Sequence, residues 1–571
     1  MKVTALLLFV IVIAASAQWS SDPGVNLMIS SGTEDEEAPM IALGTSGDSF
    51  VSWSTWTGSG WDMRLQRLDL LGNAMWGSDG ILVRDGYSSG QICLYDLVTD
   101  QSGAAILTFS VWSGSGFVVY AYRISPDGDM LWGTDGILLS DTSSATSIAT
   151  FAQAVPTSSG DVILSWSLIL APDTACTVMQ RITPDGNPLW GDGIVLESDS
   201  TGVYCWEAVL CPTGTDDVIL VYTLSNYEGY EKRIYAMRYD ASGNPVWPNP
   251  AVISENENVL QQCIQPPPYP DGNGGFCITW EEYDTSGLII SLVQHVTCGG
   301  AIAMSSGGVP VSTMASRNHT EPYLSVAEDG ENIFIFWREM NELETQDGLY
   351  GQRMDANGNR LWTDSGMTFI GLQDEEIGEI SVQTAGDDAA VFYLEATAAG
   401  NDKACCMMVD SVGVYVWPSE RIEISNVGCE REHFVATPLC WGQQWITVWD
   451  DDRGGYQSVF AQNTKLDGTL GTGGLGIGGH TFPDPGVYLG VSRPNPFSSA
   501  STVPFSLASS SFVTLGLYDT SGRLVRMVAD GFYPAGNHTV DISTGDIPSG
   551  VYILRLDAMG ETVSRACVLL R

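Results

Sequence analysis

The chain has 571 residues, of which 68 are acidic and 24 are basic, so its formal net charge is −44. This charge repels phosphate backbones and anionic lipid, which excludes a general nucleic-acid or membrane-surface binder. Hydrophobic residues make up 44% and charged residues 16%, which excludes a disordered chain because that much apolar surface offsets chain entropy. The 63 glycines favour short strands joined by tight turns.

The first residues have the pattern of a secretory signal. Lys2 precedes an apolar run from Ala5 to Ala14, and small residues then lead up to Gln18. We therefore expect residues 1–17 to be removed on export, with an uncleaved anchor as the alternative. No later segment approaches 18 uninterrupted apolar residues, so we expect no transmembrane segment in the exported protein.

Twelve cysteines in an exported protein permit disulfides. They are scattered and lack the CxxC pairs that zinc sites usually need. Three short loops supply candidate bridges, which are Cys205 with Cys211, Cys263 with Cys277, and Cys429 with Cys440. The alternative is that each cysteine is a small buried hydrophobe.

A ten-residue pattern from Arg to Trp, through an Asp-Gly or Asn-Gly type of turn, recurs along residues 18–479. Five clear copies lie at 67–76, 123–132, 181–190, 238–247 and 353–362, and eroded copies lie at 295–304, 408–417 and 463–468. The turn glycines, 55 to 58 residues apart, are Gly72, Gly128, Gly186, Gly243, Gly300, Gly358, Gly413 and Gly468. Strand-ending aromatics share this period, at Trp53, Phe109, Trp166, Tyr222, Trp280, Trp337, Tyr393 and Trp449. Four strands per repeat, as in residues 323–370, are typical of a propeller blade.

The fourth strand of the repeat has only seven internal copies. Residues 24–30 resemble the missing copy and lie 56 residues before the one at Gly80. We expect them to pair with residues 458–465, so that an all-β, eight-bladed β-propeller closes without an unpaired edge. A seven-bladed ring with a stray repeat and two four-bladed propellers are the alternatives. The repeated Trp is expected to pack between sheets, and the repeated Arg to hold a carbonyl or carboxylate.

The repeat period stops after Gly479, where prolines mark a linker at 480–490, and residues 491–571 predict an Ig-like β-sandwich. This segment contains an ordered set of short motifs: Pro494, Asn495, Pro496 and Phe497, then Gly522 and Arg523, then Gly550 and Tyr552. It resembles the C-terminal sorting domain of type IX secretion substrates, which is similar to the Ig-like domain of flagellar hook-capping proteins. The resemblance implies the secretion machinery as a partner, passage across the outer membrane, and release or surface attachment.

The repeats also resemble propeller-type repeats of secreted bacterial proteins, best at 352–362 and 449–453, a family that brings no assigned activity. Loops after the aromatic-ending strands are where a propeller would bind a ligand. Candidate binding residues there are Glu281, Glu282, Asp284, Glu339, Asp450, Asp451, Asp452 and Arg453. Two facing carboxylates would permit glycoside hydrolysis, although so acidic a chain places carboxylates on any loop.

Calcium is the one cofactor the sequence suggests, with Asp450, Asp451 and Asp452 as its candidate ligands and solvated turn acids as the alternative. The five histidines have no zinc spacing, and the Asp-to-Gly-to-Trp spacing of the repeat differs from the sialidase Asp-box. We expect a monomeric, exported, non-enzymatic protein that binds a protein or glycan. A secreted carbohydrate-active enzyme, a glycosidase or lyase, and a structural surface-layer component are the alternatives.

Overall fold

The computed structural model describes residues 19–569 except 31–33, 46, 88–94, 114–115, 141–147, 171–173, 198–202, 227–231, 257–258, 261–265, 328–329, 331, 398–399, 439–442, 473–486, 490–491, 493–496, 498–499, 508–510, 520–522, 534–535, 544, 546 and 559–560. Several predicted features lie outside the described residues, namely the signal at 1–17, Cys263, Cys440, Pro494, Asn495, Pro496 and Gly522. The described chain is all-β, as predicted, and contains no helix long and apolar enough to cross a bilayer.

The described repeat region forms eight four-stranded antiparallel sheets, numbered here along the chain. Strand β1 (Leu27–Met28) belongs to the last of them. Sheet 1 contains β2 (Glu36–Leu43), β3 (Ser49–Trp56), β4 (Trp61–Leu68) and β5 (Ile81–Tyr87). Sheet 2 contains β6 (Asp96–Thr99), β7 (Ala105–Trp112), β8 (Phe117–Ile124) and β9 (Ile137–Leu138). Sheet 3 contains β10 (Ile148–Pro156), β11 (Val162–Leu170), β12 (Thr174–Ile182) and β13 (Ile194–Leu196). Sheet 4 contains β14 (Val203–Pro212), β15 (Val218–Asn226), β16 (Lys232–Tyr239) and β17 (Ala251–Val252).

The second half repeats this plan. Sheet 5 contains β18 (Tyr269–Pro270), β19 (Phe276–Tyr283), β20 (Ile289–Val296) and β21 (Val309–Pro310). Sheet 6 contains β22 (Arg317–Val326), β23 (Asn332–Asn341), β24 (Asp347–Asp355) and β25 (Met367–Gln373). Sheet 7 contains β26 (Glu376–Ala385), β27 (Asp388–Ala396), β28 (Lys403–Val409) and β29 (Arg421–Ser425). Sheet 8 contains β30 (Arg431–Ala436), β31 (Gln444–Asp451), β32 (Ser458–Lys465) and, as its fourth strand, β1.

The first strands of the eight sheets follow one another in a closed circle of contacts. Each lies against the first strand of the next sheet, and β30 of sheet 8 lies against β2 of sheet 1. The predicted closing pair is confirmed, because Leu27 pairs with Ala461 and Met28 with Phe460. The second strands are buried on both faces between neighbouring sheets, which explains why β7 is apolar except for Thr108 and Ser110.

The repeated Trp and Arg join neighbouring sheets where the repeat keeps both residues, as predicted. Trp132 Nε1 and Arg123 Nη1 both donate to the Pro184 carbonyl at 3.0 Å, and Arg123 Nε also donates to Asp100 at 2.7 Å. The indole lies against Gly186, whose φ of 85° requires glycine at this turn. Equivalent Trp-to-carbonyl bonds are made by Trp190 to Ala241, Trp247 to Cys298, Trp362 to Ser411 and Trp417 to Leu466.

The same junction closes the circle with residues from opposite ends of the repeat region. Trp19 Nε1 and Gln444 Nε2 each donate to the Leu70 carbonyl at 3.0 Å. The Trp19 ring lies against Gly72 as Trp132 lies against Gly186. Gln444 thus occupies the role that Arg has elsewhere, and Trp19 supplies the Trp that the eroded copy at 463–468 lacks.

The predicted bridge between Cys205 and Cys211 is wrong. Both thiols are free and buried, and both lie on β14. Six residues of strand separate their Cα atoms by roughly 15–20 Å, whereas a disulfide needs less than about 7 Å. They are therefore buried hydrophobes, and burial raises the pKa of Cys205 to about 12.

The C-terminal segment holds β33 (Val487–Leu489), β34 (Ala500–Leu507), β35 (Ser511–Asp519), β36 (Leu524–Tyr533), β37 (Gly536–Ser543), β38 (Gly550–Ala558) and β39 (Glu561–Leu569). The described strands form two sheets, β33-β34-β37 and β36-β35-β38-β39, around one hydrophobic core. Residues 487–489 were predicted as linker, which is wrong, because Val487 pairs with Leu507 and Leu489 is fully buried. Tyr552 Oη donates to the Pro548 carbonyl at 2.8 Å, and buried Phe497 donates its N–H to Val568 at 3.0 Å.

Candidate functional site: the loop face of the circle

The two ends of the sheets differ in chemistry. One end, the turn face, carries the Gly turns with the repeated Trp and Arg. The other, the loop face, is where each first strand begins and each second strand ends, because neighbouring strands are antiparallel. After the strand-ending aromatic, sheets 1–4 have Ser54, Ser110, Ser167 and Thr223, whereas sheets 5–8 have Glu281, Arg338, Leu394 and Asp450. The next position is Thr55, Val111, Leu168 and Leu224 in sheets 1–4, and is acidic in sheets 5–8, at Glu282, Glu339, Glu395 and Asp451.

Three of the predicted binding acids hold buried tryptophans. Trp280 donates to Glu282 and Trp337 to Glu339 at 2.8 Å, and Trp449 donates to Asp451 at 2.7 Å. These carboxylates are at most 1% exposed. An indole N–H needs an acceptor when buried, and in sheet 1, where Thr55 stands at this position, the buried Trp53 N–H finds no hydrogen-bond partner among the described residues. The three acids therefore fix the aromatic framework.

Arg453 stabilises the position of the closing strand β1. Its Nε lies 2.8 Å from Asp451 Oδ1, and its Nη1 donates to Asn26 Oδ1 at 3.0 Å. The guanidinium also lies 3.9 Å from the ring centroid of Phe460. Since Asn26 precedes β1, the Asp451–Arg453 pair holds the N-terminal strand on sheet 8.

The predicted calcium ligands are not brought together. Successive side chains of a strand point to opposite faces, so Asp450 faces His433 while Asp451 faces Trp449. Asp452 is exposed and accepts from the backbone N–H of Glu430 at 3.2 Å. The other predicted loop acid, Asp284, caps an exposed turn, where the Ser286 hydroxyl holds the pKa of Asp284 below its usual value.

Two predicted acids, Glu281 on β19 and Asp450 on β31, do contact first strands, at residues that sequence reasoning missed. A β-bulge near the start of the first strand recurs in sheets 1, 3, 4, 6, 7 and 8, so it belongs to the repeat. Ala38 and Phe151 have a positive φ at this bulge in sheets 1 and 3, and the corresponding residues of sheets 6, 7 and 8 are acidic or histidine. In sheets 6, 7 and 8 the residue at positive φ is Glu321 (51°), Glu379 (49°) and His433 (55°). Bulges re-aim side chains and are common next to functional sites.

Carboxylates link these bulges from sheet to sheet. Glu281 Oε1 accepts from the Glu321 N–H at 2.5 Å, and Glu379 Oε1 accepts from the His433 N–H at 3.0 Å. In sheets 2 and 3 an analogous contact runs from the Ala154 N–H to Asp96 at 2.9 Å. The carboxylates therefore bridge neighbouring sheets near the loop face.

We call Glu281, Glu321, Glu379 and Asp450 the acidic arc. Burial raises the pKa of all four. Tyr323 lies among the first three, and burial together with their negative charges raises its pKa as well. Arg338 neutralises part of the arc by contacting Glu321 at 3.3 Å, and its Nε also contacts Asp347 at 2.6 Å.

Exposed aromatic pairs lie at the loop-face ends of sheets 1 and 2. Trp56 pairs across the strands with Trp61, and Trp112 with Phe117, each with ring centroids 5.2 Å apart. Trp56 is 38% and Trp112 42% exposed. Aligning the repeats would have found both pairs, because the other sheets have no Trp at this position.

Comparisons with known proteins identify the C-terminal segment. Residues 493–569 match the family model of the secretion system C-terminal sorting domain, and no curated protein matches the chain. Similar solved structures include a protein of unknown function from Dyadobacter fermentans DSM 18053, 9% identical, with a TM-score of 0.34 over 76% of this chain and 96% of that one. They also include polysaccharide lyase Uly1 (9%, TM-score 0.39, 74% and 89% covered) and Hadza microbial sialidase Hz136 (10%, TM-score 0.31, 62% and 74% covered). Such distant likeness says nothing about activity. The chain carries a type IX secretion C-terminal sorting domain at residues 493–569, and the protein is exported and then secreted or attached to the outer surface.

Proposed function

We propose that sheets 1–8 are the blades of one eight-bladed β-propeller that binds a glycan at its loop face, and that an Ig-like C-terminal domain directs its export. The closed circle of first strands and the completion of sheet 8 by β1 support the propeller. Two sheets around one core support the Ig-like sandwich.

The observation that carries the binding proposal is where the repeats differ. Framework contacts recur from sheet to sheet on the turn face, which is the pattern expected of residues selected for stability. The loop face combines exposed aromatics on sheets 1 and 2 with carboxylates on sheets 5–8. Aromatic faces stack on the apolar faces of sugar rings, and carboxylates accept hydrogen bonds from sugar hydroxyls.

A glycan array on the purified mature chain tests this proposal, followed by titration of the best ligand. Trp56→Ala and Trp112→Ala should each weaken binding about tenfold, which corresponds to about 1.4 kcal/mol. Leu131→Ala is the matched control, because Leu131 lies on the turn face and is 44% exposed. An array without hits, or equal losses in all three variants, would refute glycan binding at this face and would leave a protein ligand or a surface-layer role.

A carbohydrate-active enzyme is a second candidate, which one observation favours. The raised pKa values of Glu281, Glu321 and Glu379 suit a carboxyl group that must hold a proton as a general acid. A screen of the wild-type chain for polysaccharide hydrolysis and elimination tests this candidate. Activity that Glu321→Gln abolishes would establish it, and unaltered polysaccharides would exclude it for the substrates screened.

A further inference from the structure

We propose that Glu432, His433 and Asp450 form a binding site for one divalent first-row transition metal ion, such as Mn²⁺ or Zn²⁺. Each residue offers one ligand atom, and these atoms all lie within 4.8 Å of one another. The site lies at the loop-face end of sheet 8, on the first two strands, and it differs from the calcium trio predicted from sequence.

The backbone brings the ligands together. Glu432 and Asp450 are directly opposite partners of β30 and β31, a placement that is destabilising for two like charges unless a cation compensates. The bulge after Glu432 turns His433 to the same side, so that its Nδ1 lies 2.8 Å from Asp450 Oδ1. His433 is held there by its own backbone N–H, which donates to Glu379 of sheet 7.

Asp450 supplies an independent indication of a missing partner. Its carboxylate is fully buried, the Ala38 backbone N–H faces it from sheet 1, and its second oxygen, Oδ2, makes no hydrogen bond of ordinary geometry among the described residues. A buried carboxylate oxygen without a donor is costly, and a metal ion would satisfy it. Among the described residues, Asp450 forms its ion pair with His433.

The surrounding charge also fits a divalent cation. Glu37 from sheet 1 and Glu379 from sheet 7 also lie near the site, where Glu379 accepts from the backbone N–H groups of His433 and Phe434. One imidazole therefore faces carboxylates from three sheets and carries at most one positive charge. A donor set of imidazole nitrogen and carboxylate oxygens suits Mn²⁺, Zn²⁺ and similar ions, whereas Ca²⁺ prefers oxygen alone.

The test is calorimetric titration of the mature full chain with Mn²⁺, Zn²⁺ and Ca²⁺ after removal of bound metal by EDTA. We expect one Mn²⁺ per chain, at least tenfold weaker binding in His433→Asn and Glu432→Gln, and no change in Asp452→Asn. Asn tolerates the positive φ of position 433, and Glu432 is exposed, so both variants should fold, which circular dichroism would check. Asp452 is the control because it is an exposed carboxylate two residues from Asp450.

Mn²⁺ is the primary probe because the cysteines would add thiolate sites for Zn²⁺. Absence of Mn²⁺ and Zn²⁺ binding would overturn the proposal, as would Mn²⁺ binding that is unchanged in His433→Asn or tighter binding of Ca²⁺ than of Mn²⁺. Glycan binding is measured separately in EDTA, so failure of the metal site would leave the propeller proposal standing.

Discussion

Removing the Trp19 side chain should open the circle of sheets at the junction of sheets 8 and 1. The ring is 2% exposed, lies against Gly72, and donates to the Leu70 carbonyl. Truncating a buried aromatic to alanine costs about 3–5 kcal/mol, and we expect a loss of that size for Trp19→Ala. Trp19→Phe keeps most of the apolar contact and should cost about 1 kcal/mol, because Gln444 still donates to Leu70.

Trp132→Ala is the matched control. Trp132 makes the same contacts with Gly186 and Pro184 at the junction of sheets 2 and 3, where the chain is continuous. If the N-terminal segment closes the circle as an ordinary junction, Trp19→Ala and Trp132→Ala should have similar costs. The assay is urea unfolding of the mature chain, followed by circular dichroism and by intrinsic fluorescence. Midpoints are compared between variants because the repeat region and the C-terminal segment need not unfold in one step.

The result that would refute this reasoning is specific. If Trp19→Ala leaves the first unfolding midpoint unchanged while Trp132→Ala lowers it, residues 19–30 do not hold the circle closed. An additional low-urea transition in Trp19→Ala alone would instead support local opening of sheet 8, the sheet that β1 completes.

Four further outcomes are expected. Burial lowers the pKa of His319 from 6.5 to about 4. Its contribution to stability is therefore complete above pH 6.5 and is lost as pH falls towards 4, by at most about 1.4 kcal/mol per pH unit. His319→Gln should flatten the melting-temperature profile between pH 6.5 and 4. Burial raises the pKa of Glu36 from 4.5 to about 7, so its contribution is complete below pH 4.5 and is lost as pH rises through 7, and Glu36→Gln should raise the melting temperature at pH 8. Met304 stands where most repeats have Trp and contacts Gly358, so Met304→Trp should stabilise the chain by about 0.5–2 kcal/mol in urea unfolding. Deleting residues 487–571 should retain the protein in the periplasm, and fractionation that finds it outside the cell would contradict the role of the sorting domain.

The framework was predictable because it repeats. A Trp or a turn glycine that returns every 55 to 58 residues must occupy equivalent surroundings, so its role between sheets follows from the period alone. The closing strand was predictable for the same reason, since residues 24–30 match a copy that the internal repeats lack. Trp19 was missed because it lies apart from the eroded turn at 463–468 that it completes.

The candidate site was less predictable, because it depends on departures from the repeat. Glu282, Glu339 and Asp451 resemble free loop acids in sequence, yet each follows a buried Trp by two residues and accepts its indole N–H. Sequence alone gives no sign that such a carboxylate points inward. Alternation along a strand could have shown that Asp450 and Asp451 face opposite sides and cannot share one ion.

The positions of Glu321, Glu379 and His433 at the loop face depend on a backbone conformation that their residue types do not indicate. Glu321, Glu379 and His433 share a bulge with positive φ, although none is the glycine or asparagine that normally marks such a position. The conformation holds because a neighbouring sheet supplies an acceptor for the bulged N–H of Glu321 and of His433. Each acceptor is itself a member of the acidic arc, so stability and the proposed ligand chemistry depend there on the same carboxylates. A substitution in the acidic arc should therefore alter folding and binding together, whereas Trp56 and Trp112 should alter binding alone, and comparing the two kinds of variant separates the ligand-binding role of this face from its structural one.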